Sequence, residues 1–333
     1  MSTLIISLIV FAVLIIFHEF GHFVVAKITG VKVIEFSVGM GPQLLSKDYG
    51  GTKYSLRLLP IGGYCQMYGE DGKEKDEGSF TSKSPFNRLL IISAGPAMNL
   101  LLAVLLFFII GMYLGVPTTT IKGVMHNYPA DKVGLIAGDT IIAINNTRIN
   151  NWVKLSDEIS RDDNEKKLTI LRDNELINLR IKPIYDEETK RYIIGIEPEI
   201  SRKPLLVLAW GLQQVYTVSK SIILTLGSLL LTGLNLSGFV GPVGVINLIG
   251  QVTKTGFINL MNLAAIISIN LGIFNIFPIP PLDGSRILFI FIEMVRGKPI
   301  EPEKENAVHF IGFILLMIFS AIITYRDIIN LSR

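Results

Sequence analysis

From Leu4 to Ile28 the chain is apolar apart from Ser7, Lys27 and one polar group, His18-Glu19-Phe20-Gly21-His22, and from Leu89 to Leu114 it is apolar again except for Ser93 and Asn99. About 20 such residues in helical form cross the hydrocarbon of a bilayer. A lone segment in lipid satisfies its own N–H and C=O groups only as a helix, so both runs are expected to be spanning helices. Composition agrees with a chain that crosses several times. Half of the 333 residues are hydrophobic and 18% are charged, against about 25% charged in soluble domains. The 31 basic and 28 acidic residues nearly cancel to +3, and no basic block is long enough to hold nucleic acid, so that partner is excluded. Cys65 is the one cysteine, which rules out an intramolecular disulfide and a cysteine-rich metal site. The first run lacks the basic lead and small-residue cleavage site of a signal peptide, so it reads as a retained span in a mature protein that begins near Met1.

His18 and His22 are four residues apart, and on a helix that spacing puts both imidazoles on one face, with Glu19 beside them. This is the HExxH pattern, in which two histidines bind one Zn²⁺ and the glutamate serves as general base. A single histidine in a membrane helix can simply bond to a neighbouring helix. Two histidines and a glutamate within five residues are costly in hydrocarbon without a function.

Nothing basic precedes the first span, whereas its far end and the segment after it carry Lys27, Lys32, Lys47, Lys53, Arg57, Lys73, Lys75, Lys83 and Arg88. The positive-inside rule then places that segment in the cytoplasm and the N-terminus outside. Within it, Phe36–Pro42 and Tyr54–Gly63 combine strand-like runs with glycines and suit a β-hairpin. Such a hairpin either dips toward the site, where it must line a chamber that satisfies its backbone, or is an ordinary cytoplasmic hairpin.

After Pro117 the composition becomes that of a small soluble domain, up to about Lys203. Leu168 and Ile170 alternate as in a strand, as do Ile177, Leu179 and Ile181, while Leu155 and Ile159 mark a short helix. The stretch Pro129–Asn145 resembles the PDZ pattern of a helical turn leading through Gly138-Asp139 into a strand and an Asn turn. A PDZ fold can take a peptide ligand as an added strand; the other reading is a steric gate that binds nothing.

Residues 205–233 are also apolar, yet parity argues against a crossing. A third run, 262–283, leads through Asn275-Ile-Phe-Pro-Ile-Pro-Pro-Leu-Asp-Gly284, and an intramembrane Asp is a functional suspect. His18 lies about 21 Å along its helix, toward the cytoplasmic side, at about 1.5 Å per residue. Asp283 reaches the same depth only if its span runs in the same direction. Residues 205–250, including Gly241-Pro-Val-Gly244, are therefore expected to lie in the outer interface or to re-enter. Residues 306–325 form the last span. The fold class that results is a polytopic α-helical membrane protein with four transmembrane helices, a membrane-associated β-hairpin element and one inserted α+β PDZ domain. Its domains are 1–114, 115–203 and 204–333.

A catalytic zinc keeps three protein ligands and an open position for water, and His18, His22 and Asp283 supply such a set. Glu19 would accept the proton of the attacking water and return it to the leaving amine, which is peptide hydrolysis. Asn275 either contacts the substrate backbone, as an oxyanion donor would, or makes a helix–helix hydrogen bond; Asn99 carries the same two readings. His126 and His309 have no second ligand at useful spacing and read as structural. Glu293 and Asp327 read as solvated. Two other classes compete. One is a PDZ-bearing membrane scaffold with a vestigial zinc site, which has no need of Glu19; the other is a zinc transporter, which needs polar residues in more than two spans.

HEFGH in the first span, the PDZ-like insert and NIFPIPPLDG in the third make the chain resemble the site-2 protease family of intramembrane zinc metalloproteases, most of all its bacterial regulator of sigma-E protease branch. FSVGMGP, YSLRLLPIGGY, AGPAMN and GPVG extend the likeness over nearly the whole chain. The resemblance implies a Zn²⁺ cofactor held by His18, His22 and Asp283, a catalytic Glu19 and a substrate contact at Asn275. It also implies that residues 36–64 present the substrate as an added strand. The implied substrate is a single-span membrane protein of anti-sigma-factor type, already trimmed outside. The implied location is the bacterial inner membrane, with both termini and the PDZ domain outside the cytoplasm and the zinc toward the inside. One PDZ domain here, where the best-known member has two in tandem, departs from the family pattern and argues against carrying its size-filter mechanism over to this chain.

Overall fold

The computed structural model describes residues 2–70, 76–232 and 240–331. In chain order these form α1 (Thr3–Ile28), β1 (Val33–Tyr49), β2 (Thr52–Met67) and α2 (Pro85–Leu114). Then come β3 (Val116–Val124), α3 (Pro129–Lys132), β4 (Thr140–Ile144), β5 (Thr147–Arg148), α4 (Trp152–Ser160), β6 (Lys166–Arg172), β7 (Glu175–Ile181), β8 (Ile184–Asp186), β9 (Arg191–Ile193) and β10 (Ile196–Ser201). The chain ends with α5 (Pro204–Thr232), α6 (Pro242–Thr255), α7 (Phe257–Ile276), α8 (Asp283–Arg296) and α9 (Pro302–Leu331). Two compact units result, one from Met1–Phe107 with Gly211–Arg333 and the other from Phe108–Trp210.

Among the described residues, four helices are long and apolar enough to cross a membrane: α1, α2, α7 and, from Glu303, α9. Their most apolar stretches are only 11% to 33% buried, so large apolar side chains such as Ile9, Leu101 and Phe310 face outward. A soluble protein rarely exposes so much apolar surface, whereas lipid requires it. Helix α5 is as long but is not among these four. Of the segment expected at the interface, 205–250, residues 233–239 lie outside the described residues.

Helix α1 ends where Gly30 turns into the left-handed region at φ +74°. Gly30 N–H donates to the Lys27 carbonyl and Val31 N–H to the Ala26 carbonyl, the two bonds of a Schellman motif, and Val31 and Ala26 are buried together. The turn sends the chain into the sheet rather than onward.

The expected β-hairpin is more than a hairpin. Phe36 lies beside Cys65 on one side and Tyr54 on the other, while Ser55 also pairs with Ser46. The long ribbon folds over itself into four segments, ordered 43–49, 52–59, 33–40 and 62–67. Glycines at positive φ make the folds: Gly39 (+87°) and Gly41 (+83°) at one, Gly62 (+86°) at the other. The ribbon exposes Met40, Leu44, Leu45, Leu56, Leu58 and Leu59. Phe23 of α1 anchors the inner side, its ring 5.2 Å from that of Phe36 and 5.9 Å from that of Tyr54. Across the sheet Glu35 accepts from Ser55 at 2.5 Å and from Arg57 at 2.8 Å. Burial pushes the Glu35 carboxyl up, but these donors outweigh it and hold it at about 2.

The third run differs from expectation. It ends as a helix at Ile276, and Asp283 is not late in that span but the first residue of α8. Pro278, Pro280 and Pro281 cannot continue the hydrogen-bond ladder.

In the unit Phe108–Trp210 the main sheet runs β10-β3-β4-β6-β7, with β5 paired to β4. Its core is Ile121, Ile141, Ile144, Leu155, Leu168 and Ile170 with their neighbours, which places the residues read as strand and helix stripes on the inside. Asn151 caps α4, its side chain accepting from Lys154 N–H at 2.8 Å. Asp139, fully buried, takes both Arg172 Nε at 2.6 Å and an Arg172 terminal nitrogen at 2.7 Å, and Ile136 N–H at 3.0 Å. Burial raises the Asp139 carboxyl and these three donors outweigh it, so it lies below the usual carboxylate range. A carboxylate depressed on folding stabilises above its unfolded pKa of about 4 and loses that contribution as pH falls through the folded value. Amide exchange in β4 and β6, corrected for intrinsic rate, is therefore expected to show this unit loosening below about pH 4. In Asp139→Asn that acid step should vanish; an unchanged acid profile would remove the pair from the account.

Candidate metal centre

Helix α1 places the imidazoles of His18 and His22 on one face, with Nε2 atoms 3.2 Å apart. His22 is pinned from behind: its Nδ1 lies 2.9 Å from the Ile91 carbonyl of α2. A carbonyl only accepts, so Nδ1 carries the proton and Nε2 presents a lone pair to the front. His18 Nδ1 lies 3.2 Å from the Asn99 side-chain amide, also on α2.

Small residues let α2 come this close. A Cβ on Gly21 would stand 2.2 Å from the Ala94 carbonyl oxygen, and one on Gly95 would stand 2.3 Å from His22 Nε2 and 2.8 Å from His18 Nε2. The space in front of the two lone pairs is thus kept open by a glycine.

Asp283 closes the third side. After the proline turn Gly284 packs on the end of α7, where a Cβ would meet the Phe277 and Ile276 carbonyl oxygens at 2.1 and 2.2 Å. That contact returns the chain to α1 and brings Asp283 Oδ2 to 3.0 Å from His18 Nε2 and 3.4 Å from His22 Nε2. Oδ2 is buried and makes no hydrogen bond. Three ligand atoms are therefore separated by 3.0, 3.2 and 3.4 Å. Atoms bound to one tetrahedral zinc at about 2.0–2.1 Å stand about 3.3 Å apart. Donor types, spacing and the cradle left by Gly95 all fit Zn²⁺. Among the described residues this is the one group of His, Cys, Asp or Glu side chains clustered closely enough to hold an ion.

Glu19 points to the edge segment of the sheet. Its Oε2 accepts from Cys65 N–H at 3.0 Å, on the side of 62–67 that pairs with no strand. The cleft in front, about 320 Å³, is lined by Tyr64, Cys65, Gln66 and Met67 along with the site residues. Arg286, one turn beyond Asp283, pairs with Glu70 at its rim. Burial pushes the Cys65 thiol up to about 12, and the bond that Cys65 makes to Glu19 is through its backbone N–H.

The other candidates fall elsewhere. Asn275 is half-buried in the last turn of α7 and does not line the cleft. His126 is exposed beside Asp131, and His309 sits edge-on to Phe289, so neither joins the centre. The expectation of solvated roles fails for two acids. Glu293 pairs with Arg88 at 2.5 Å, and Asp327, 7% exposed, accepts from Gly241 N–H and Gly244 N–H at the start of α6. Both lie on helices whose neighbours cover them, which linear hydropathy does not register. The close approaches of Gly21 and Gly95 and the Cys65 N–H bond carry no pattern in the chain; only AGPAMN marks the place.

The profile of peptidase family M50 matches residues 6–319. The chain belongs to peptidase family M50. It is 39% identical over 329 residues to a Clostridium acetobutylicum protein provisionally named a zinc metalloprotease, covering 98% of this chain and 97% of the relative. It is 31% identical to the zinc metalloprotease RasP of Bacillus licheniformis, covering 98% and 99%. The regulator of sigma-W protease RasP of Bacillus subtilis is likewise 31% identical, covering 98% of each chain. A crystal structure of a PDZ domain from Listeria monocytogenes matches 25% of this chain and 87% of its own, at 21% identity and a TM-score of 0.23. As an M50 peptidase of the site-2 type, the chain is a zinc metalloprotease and a membrane protein.

Proposed function

We propose that this M50 peptidase hydrolyses a peptide bond within or near the transmembrane segment of a single-span membrane protein. The observation that carries the reading is a metal-competent triad, His18, His22 and Asp283, with the Glu19 carboxylate beside it and bonded to the free edge of a sheet. Zinc held there supplies Lewis acidity, which acidifies a water and polarises a carbonyl. Glu19 takes the proton from the attacking water and passes it to the leaving amine. A substrate unwound into an extended strand adds to segment 62–67, whose outward backbone groups lie against the site. Asn275, in the last turn of α7 and outside the cleft, contacts the substrate backbone beyond the part that pairs with 62–67.

The exposed apolar side chains of the sheet formed by β1 and β2 support its association with the membrane. The basic residues between α1 and α2 support a cytoplasmic location for that sheet, with the unit Phe108–Trp210 outside as a PDZ domain. The name of the Bacillus subtilis relative supports a substrate that restrains a sigma factor.

The test is cleavage of a single-span protein with a truncated external part in proteoliposomes, with the cut mapped by mass spectrometry. A cut inside the apolar segment is expected; cuts confined to the extramembrane parts would overturn the reading. In the same preparation Asp283→Ala should lower bound zinc by at least tenfold, since two histidines alone leave the ion short of a ligand. Wild-type zinc content in that variant would remove Asp283 from the set.

A further inference from the structure

The triad explains how three side chains face one point, and His22 is visibly held in the tautomer this requires. His18 has no carbonyl behind it. The one polar group within hydrogen-bond distance of its Nδ1, among the contacts of the described residues, is the side-chain amide of Asn99, at 3.2 Å. Asn99 is 1% exposed, so water does not offer a substitute. As placed, the amide turns Nδ2 toward His18, and its Oδ1 is buried with no donor to accept from. That orientation has a chemical consequence. An NH₂ group facing Nδ1 demands a lone pair there, which moves the imidazole proton to Nε2, the atom that points at His22 Nε2 and Asp283 Oδ2. A proton on Nε2 and a metal on Nε2 exclude each other. Exchanging O and N of the amide, a choice set by the hydrogen-bond network rather than by atomic shape, resolves both problems. Oδ1 then accepts from His18 Nδ1–H, and Nε2 is free to bind.

We infer that Asn99 is a positioning residue of the zinc centre: its Oδ1 accepts the Nδ1–H of His18 and so fixes the tautomer and ring plane in which His18 ligates. The inference rests on the metal reading of the triad and deepens it. The fold is arranged to hold this amide still. The Asn99 backbone carbonyl accepts from Ser268 Oγ of α7 at 2.7 Å, and Ser268 is fully buried. One turn earlier on α2, the Pro96 carbonyl oxygen is 3.0 Å from where a Cβ on Gly272 would stand. Helix α2 is thereby clamped between α1 and α7 at the level of the site, with Gly95 in front of the imidazoles and Asn99 behind one of them. The two histidines are served by one helix in different ways, a main-chain acceptor for His22 and a side-chain acceptor for His18. Only the second can be altered by mutation without touching a ligand.

An acceptor behind a metal-bound histidine typically changes metal affinity by about 10- to 100-fold when it is removed. The variants are Asn99→Leu, which keeps the volume and removes the acceptor, and Asn99→Asp, which keeps the acceptor and strengthens it. Zinc affinity of purified full-length protein is read by chelator competition, with wild-type stoichiometry as the reference. Asn99→Leu is expected to weaken zinc by about 10- to 100-fold, and Asn99→Asp to stay near the wild-type value or tighten. A role in helix packing alone predicts the reverse order, because a buried carboxylate is worse packing than Leu. Wild-type affinity in Asn99→Leu, or equal losses in both variants, would overturn the inference. A second measurement needs no variant that folds poorly. In zinc-loaded wild type with ¹⁵N-labelled histidine, the His18 Nδ1–H is expected as a slowly exchanging, downfield resonance, and its absence would overturn the hydrogen bond. Wild type that binds no zinc would overturn the metal centre itself, which separates the two failures.

Discussion

Glu19→Gln is expected to abolish peptide hydrolysis while leaving zinc bound at wild-type stoichiometry. The substitution is nearly isosteric, and a glutamine oxygen still accepts from Cys65 N–H, the bond that now orients Glu19 at 3.0 Å. The ligand atoms on His18, His22 and Asp283 are untouched. What is lost is the group that takes the proton from water and returns it to the amine, a contribution of about 10²- to 10⁴-fold where general acid–base catalysis has been dissected. The comparison is cleavage of a truncated single-span protein by wild type and variant in the same membranes, with zinc measured in both. A variant that cleaves at wild-type rate would remove Glu19 from the mechanism. Loss of zinc along with activity would instead mean that Glu19 helps to hold the site together.

Gly95→Ala should produce the second large effect, a protein that loses zinc although no ligand is changed. The added methyl would stand 2.3 Å from His22 Nε2, 2.6 Å from its Cε1 and 2.8 Å from His18 Nε2. Contacts under 3.0 Å force something to move, and here the atoms that must move are those whose separation defines the site. Either the imidazoles rotate off the metal point or α2 withdraws from α1, breaking the bond from His22 Nδ1 to Ile91. Overpacking of a core typically costs about 1–3 kcal/mol, so the protein should fold with a lowered Tm and near-background zinc. Gly227→Ala is the control, since nothing lies within 4 Å of a Cβ there. Retention of zinc in Gly95→Ala would mean that the cradle is wider than these distances allow.

Much of this protein is legible in one dimension because lipid leaves few choices. A run such as 4–28 or 89–114 must be helical in a membrane, and once His18 and His22 are on a helix their spacing alone makes them neighbours. The four long apolar helices and the strands and short helix of the unit Phe108–Trp210 follow from the same periodicities. The sheet was only partly legible. Its strand-like runs mark two strands, yet the overfolding into four segments depends on which glycines take positive φ. In the sequence Glu293 and Asp327 have the pattern of solvated acids, because a polar residue at the end of an apolar run looks exposed until a neighbouring helix covers it.

By itself the sequence determined the helical membrane architecture and the placing of His18, Glu19 and His22 on neighbouring positions of one helix, since these depend on residue type and local spacing, and it marked Asp283 as a candidate third ligand. Only the tertiary structure decided the rest. Asp283 is the first residue of a new helix that Gly284 docks against α7. Gly95 keeps the metal point open, and Asn99 stands behind His18. The Cys65 N–H aims the base from a sheet edge. Each of these is a contact between segments far apart in the chain, and their distances are set by how closely helices and sheet can approach, which no local pattern of residues encodes.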